Sequence, residues 1–196
     1  MDIKVNHVLD AKGLACPMPI VKTKKSLDDL AAGQVIEVQA TDKGSTADIQ
    51  AWAKSTGHQY LGTTEDEDVL KHYLRKSNPD ETKEPTQYPH TANLDELREI
   101  IAGDESVTVL DVREPAEYAF GHIPGSKTIP LGELEERSDE LNKDDEIYVI
   151  CRTGNRSDLA AANLSAKGFQ NVKNVIPGMA EWNGPVEKNE GGSKNE

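Results

Sequence analysis

Cysteine is almost absent from this chain of 196 residues, which has only Cys16 and Cys151. Two cysteines so far apart build no disulfide framework. Without a Cys-x-x-Cys pair or a Cys/His cluster, no metal site is expected either. Long apolar runs are also lacking. Stretches such as 107–110 and 147–151 are far too short to cross a bilayer, and Met1-Asp2-Ile3-Lys4 does not open a charged-then-apolar leader. A soluble, cytoplasmic protein with both thiols free is expected. Basic residues are outnumbered: 22 Lys and Arg against 35 Asp and Glu leave a net charge of −13. That balance argues against nucleic acid or an acidic membrane as a partner. No internal repeat is evident.

What is present divides the chain in two. The hydrophobic fraction of 36% is low for a single domain of this length, as expected where polar connecting segments dilute two smaller cores. Residues 1–76 carry 10 basic and 11 acidic side chains, whereas 93–184 carry 9 and 18, so the two surfaces differ. Residues 77–92 hold three prolines and almost nothing apolar and read as a linker. The stretch 185–196, rich in Gly, Asn, Lys and Glu, reads as a disordered tail. Sixteen flexible residues give an r.m.s. reach of roughly 20–24 Å, enough for the two cysteines to meet within one chain.

Patterning predicts an α/β protein. In the first domain, strands are expected at 3–9, 35–40, 59–65 and 68–75, with helices at 17–31 and 45–56. Gly33 and Gly57 follow the helices, and Ser45 is a plausible cap with Asp48 three residues on. The β-α-β-α-β-β order implies a small two-layer α/β sandwich. In the second domain, strands at 108–112, 126–129, 147–150 and 172–175 alternate with helices at 94–101, after Glu114, 131–141, 156–167 and 179–182. Repeated βα units imply a parallel sheet with its active loop at the C-terminal end of a strand.

The sharpest chemical signal is Cys151-Arg152-Thr153-Gly154-Asn155-Arg156-Ser157, an apolar strand running into a polar loop. A strand feeding a tight loop into a helix aims successive backbone N–H groups at one point, an anion cradle. Gly154 permits the turn, and Arg152 and Arg156 add positive charge. Cys151 is thus a candidate nucleophile, with Arg152, Thr153, Gly154, Asn155, Arg156 and Ser157 as candidate substrate-binding residues; Ser157 also reads as a helix cap. Together with Asp111-Val112-Arg113-Glu114, Glu117-Tyr118, Gly121-His122-Ile123-Pro124-Gly125-Ser126 and Pro177-Gly178-Met179-x-x-Trp182, this loop resembles the rhodanese family over 93–184. The resemblance implies a cysteine that accepts sulfane sulfur as a persulfide. It also implies largely structural roles for Asp111, Arg113 and His122. Related phosphatases and arsenate reductases use Cys-x5-Arg, one residue longer, so the Cys-x4-Arg spacing favours sulfur over phosphate.

The second cysteine lies in Cys16-Pro17-Met18-Pro19, followed by Asp48-Ile49-x-x-Trp52 and Gly57-His58. These residues resemble the TusA-like (SirA-like) sulfur-carrier family over 5–76, which implies that Cys16 carries a relayed persulfide. A cysteine at a helix N-terminus has its thiolate favoured by the dipole and unpaired N–H groups. Here the prolines remove two donors and leave the N–H of Met18. Cys151 therefore suits capture and Cys16 release. The expected protein is a rhodanese-type sulfurtransferase that takes sulfane sulfur from thiosulfate or a low-molecular-weight persulfide. The acceptor is a sulfur-carrier protein or thiol, and no cofactor is implied. The alternative is a sensing module in which both cysteines react without turnover.

Overall fold

A computed structural model describes residues 2–82, 88–103 and 106–189. It divides into two compact units. The first is built mainly from 1–78, and the second spans Pro79–Lys188.

In the first unit, β1 (His7–Asp10), α1 (Met18–Asp28), β2 (Val35–Ala40), α2 (Ser45–Thr56), β3 (Gln59–Asp66) and β4 (Val69–Arg75) follow in the expected order. The sheet order is β1-β2-β4-β3, with β1 parallel to β2 and the other pairs antiparallel. Alternation along the strands gives one face an apolar stripe. Ile36, Val38 and Leu74 meet Leu27 of α1 and Ile49 and Ala53 of α2, which together form the core. Gly57 ends α2 in the left-handed conformation, at φ 80°. The cap assigned to Ser45 is not made. Gly44 occupies the N-cap position, and the Ser45 hydroxyl is 2.9 Å from Nε2 of buried His72. The other ring nitrogen of His72 meets Tyr60 and Thr63, which also bond to each other. Burial pushes His72 down to about 4, which keeps the ring neutral.

The second unit is a five-stranded parallel sheet in the order β5-β9-β8-β6-β7: β5 (Thr91–Ala92), β6 (Thr108–Asp111), β7 (Lys127–Thr128), β8 (Ile147–Ile150) and β9 (Val172–Val175). Its helices are α3 (Leu94–Ala102), α4 (Pro115–Phe120), α5 (Leu134–Arg137) and α6 (Asn155–Ala166). Both faces of β8 are covered. Ile147, Val149 and Cys151 share one core with Leu134 and Leu164, and Tyr148 and Ile150 share the other with Leu97. Asn93 and Glu96 close a full capping box on α3.

Three expectations change. The helix read over 131–141 is a broken run, with 3-10 turns at Leu131–Glu133 and Ser138–Glu140 flanking α5. Of the stretch expected as a linker, 77–92, residues 79–82 and 88–92 are built into the second unit, on either side of 83–87, which lie outside the described residues, and 77–78 belong to the first. Pro79–Thr82 forms a 3-10 turn, Tyr88 donates its N–H to Asp158, and β5 pairs with β9. A sixteen-residue flexible reach therefore does not apply. Finally, Glu187 exchanges both backbone hydrogen bonds with His122, so the tail read from 185 is paired at its start, and 190–196 lie outside the described residues.

Candidate active site

Cys151 stands at the C-terminal end of central β8, where a parallel sheet opens its strands to a ligand. Its side chain is fully buried. The Gly154 N–H donates to Cys151 Sγ at 3.1 Å, and the Ser157 hydroxyl lies 3.3 Å from it. Gly154 adopts φ 93° as the N-cap of α6, a left-handed conformation that a side chain would strain. Two clamps fix the loop from behind. Met179 and Ala180 donate their N–H groups to the carbonyls of Cys151 and Arg152. Because a trans peptide carries its N–H opposite its carbonyl, anchoring these two carbonyls turns the N–H groups of Arg152 and Thr153 the other way. Gly178 makes this approach possible, since a Cβ there would sit 2.6 Å from the Cys151 carbonyl oxygen. On the adjacent strand, buried Asn174 donates to the Gly154 carbonyl at 3.2 Å.

The two arginines differ. Arg156 is buried and donates from both terminal nitrogens to Glu117, at 2.7 and 3.0 Å, while its Nε lies 3.2 Å from Glu81. Burial opposes its charge, but the hydrogen bonds and field of Glu117, then the fields of Glu81 and Cys151, raise its pKa above the ordinary arginine value. Expected to lend its charge to a donor, Arg156 hydrogen-bonds the loop to α4 through Glu117 and faces Glu81 of the 79–82 turn as an ion pair, its Nε making no hydrogen bond among the described residues. Arg152 is 41% exposed and lies 4.0 Å from Glu81. Asn155 donates to the Asp80 carbonyl. The Thr153 hydroxyl is buried and has no hydrogen-bond partner among the described residues. Asp111 and Arg113 form a buried pair at 2.7 Å, and Arg113 also reaches the Gly121 carbonyl. His122 stacks on Tyr118 at 3.8 Å. None of the three has a hydrogen bond to the 151–157 loop among the contacts of the described residues, although Asp111 lies beside Ile150 across the β6–β8 pairing.

Cys16 has the opposite surroundings. It is exposed, and its thiol donates to Asp48 at 2.9 Å. That hydrogen bond, slight desolvation and the negative fields of Asp48 and Asp42 raise the thiol above its ordinary pKa. The helix offers no counterweight. Pro17 is the N-cap, and the Met18 N–H expected beside the sulfur is bonded to the Ala15 carbonyl. The dipole-stabilised thiolate expected at this position is therefore replaced by a thiol held in its protonated form by a carboxylate.

Comparison with known proteins matches residues 7–76 to the model described as sulfurtransferase TusA and 93–185 to the rhodanese-like domain. "Putative sulfur carrier protein YrkF" of Bacillus subtilis is 54% identical over 185 residues, covering 94% of this chain and 100% of its own. The chain belongs to the sulfur-carrier family, as a TusA domain fused to a rhodanese domain. "Putative sulfur carrier protein YrkI" of the same organism is 55% identical over 74 residues, covering 38% of this chain and 99% of its own. A rhodanese-related crystal structure from Thermoplasma volcanium superposes with a TM-score of 0.47 at 40% identity, over 50% of this chain and 98% of that one. Sulfur relay is the shared chemistry, and the rhodanese domain is a sulfurtransferase domain.

Sequence reasoning assigned no site role to Glu81, Glu117, Asn174 or Asp48. Glu117 and Asp48 stand inside the rhodanese and TusA motifs, so their positions were available although their partners were not. Glu81 sits in a stretch whose prolines and charges read as solvated chain. No signal marked Asn174, a buried amide in the short strand Val172–Val175.

Proposed function

We propose that this TusA–rhodanese fusion captures sulfane sulfur on Cys151, from thiosulfate or a low-molecular-weight persulfide, and relays it through Cys16 to an acceptor thiol or carrier protein. With thiosulfate, the Cys151 thiolate bonds to the outer sulfur, the bond to the sulfonyl sulfur breaks, and sulfite leaves with the electron pair. Cys151 is left as a persulfide anion. The observation that carries the reading is the Gly154 N–H aimed at Sγ of the fully buried Cys151, a setting suited to a sulfur anion.

Relay follows by a second exchange. The Cys16 sulfur, deprotonated toward Asp48 and water, attacks the outer sulfur of the Cys151 persulfide. Cys151 thiolate departs, and Cys16 holds the persulfide. There the anion faces Asp48 with no N–H donor from the helix start, so transfer onward is favoured over retention. The exchange can take place within one chain or between two.

The experiment loads the full chain with thiosulfate and follows both cysteines by mass spectrometry. Persulfide forms on both in the wild type, and on neither in Cys151→Ser. Undiminished Cys16 loading in Cys151→Ser overturns the order. Turnover of thiosulfate to a thiol or cyanide acceptor separates this reading from a sensor that reacts without turnover.

A further inference from the structure

The two arginines of the Cys151 loop, Arg152 and Arg156, already face carboxylates. Glu81 is central to this. It is buried, places Oε1 3.2 Å from Arg156 Nε and Oε2 4.0 Å from Arg152, and is held there by the 3-10 turn whose Asp80 carbonyl accepts from Asn155 of the loop. Glu117 neutralises Arg156 from the other side. Among the described residues, the guanidinium charges of Arg152 and Arg156 are thus each met by a carboxylate. Glu81 also lies outside both matched family spans, 7–76 and 93–185.

We propose that Glu81 is a specificity-determining residue that sets the charge of the accepted donor, disfavouring dianionic thiosulfate relative to monoanionic donors that carry the same sulfane sulfur. The inference rests on Cys151 as the capture site. A donor reaching that sulfur meets backbone N–H groups and the partly exposed Arg152, whose charge is partly offset by Glu81. Each extra negative charge on the donor then gains less from Arg152 and Arg156 than it would without the Glu81 carboxylate beside them. One unit charge several ångströms away in a partly screened site changes a rate constant by on the order of tenfold.

Thiosulfate and the methanethiosulfonate anion isolate this term. Both deliver one sulfur to the Cys151 thiolate and break one S–S bond. Sulfite leaves from the first and methanesulfinate from the second, and both leave the same Cys151 persulfide. They differ by one unit of charge at the oxyanion end. In the full chain carrying Cys16→Ser, so that only Cys151 loads, persulfide formation is timed with each donor by mass spectrometry. Glu81→Gln is expected to raise the thiosulfate to methanethiosulfonate rate ratio by about tenfold, and Glu81→Asp to return it toward the wild-type value. An unchanged ratio in Glu81→Gln, or an equal fall with both donors, overturns the proposal and leaves Glu81 a scaffold residue. Should neither donor load Cys151 in any variant, the capture reading fails by itself. The field at the sulfur is then read from alkylation of Cys151 by iodoacetate against iodoacetamide. Glu81→Gln must raise that ratio for the proposal to survive, and an unchanged ratio overturns it.

Discussion

The pair between Arg156 and Glu117 gives the most quantitative test of how the Cys151 loop is held. Both side chains are buried, and Glu117 accepts from both terminal nitrogens of Arg156 as well as from the Glu114 N–H that starts α4. Glu117→Gln preserves shape and keeps an acceptor for Glu114. It removes the charge and turns an amide N–H toward the guanidinium. Breaking a buried pair at one partner costs about 3–5 kcal/mol. Because Glu81 still faces Arg156 at 3.2 Å, the lower end applies, about 3 kcal/mol. For a unit spanning Pro79–Lys188, that corresponds to a fall in Tm of roughly 10–15 °C. The assay is urea unfolding of the full chain in a Trp52→Phe background, so that Trp182, packed against the core of the second unit, reports alone. Adding Arg156→Met should restore part of the loss, with a coupling of about 2 kcal/mol. A loss under about 1 kcal/mol, or strict additivity of the two substitutions, would refute the claim that Arg156 is held by this pair.

Three further outcomes follow from the geometry. Asp48→Asn removes the carboxylate charge that raises Cys16 and weakens the acceptor of its thiol, so the pH of half-maximal alkylation of Cys16, measured in Cys151→Ser, should fall; an unchanged profile would count against the Asp48 contact. Gly178→Ala places a Cβ 2.6 Å from the Cys151 carbonyl oxygen at a φ of 106°, so sulfur transfer should drop by on the order of tenfold or more as the clamp is displaced, and full activity would show that the segment yields freely. His72 lies near 4 against an ordinary 6.5, so the unfolded chain takes up its proton first as pH falls. The first unit should keep its full stability above about 6.5 and lose it toward about 4; His72→Gln should flatten that slope, followed by Trp52 fluorescence in Trp182→Phe.

Local periodicity reported what local periodicity determines. Strands at 35–40, 147–150 and 172–175 and the helix at 45–56 match the observed bounds, because each is a short apolar pattern closed by Gly, Pro or polar turn residues. The run at 131–141 failed because its acidic face, with Glu133, Glu135, Glu136, Asp139 and Glu140, offers too few apolar positions to commit one helix to the sheet. Side-chain partnerships were legible only where a motif had already fixed the spacing. Arg156 reads as a free cation in sequence because Glu117 is 39 positions away and Glu81 is 75 positions away. Ser45 has the residue type and spacing of a cap, yet a buried histidine from β4 competes for its hydroxyl and takes it. The helix-dipole argument for Cys16 failed for a similar reason, since a carboxylate from α2 outweighs a helix start whose Met18 N–H is already used.

The short strand Thr91–Ala92 precedes the first residue of the rhodanese match, and it covers the outer side of β9. A fragment begun at Asn93 would leave β9 as an open edge, with unpaired N–H and C=O groups that invite a second molecule to dock by strand addition. Aggregation of such a fragment would then report where it was cut, and solubility should return when residues 79–92 are kept.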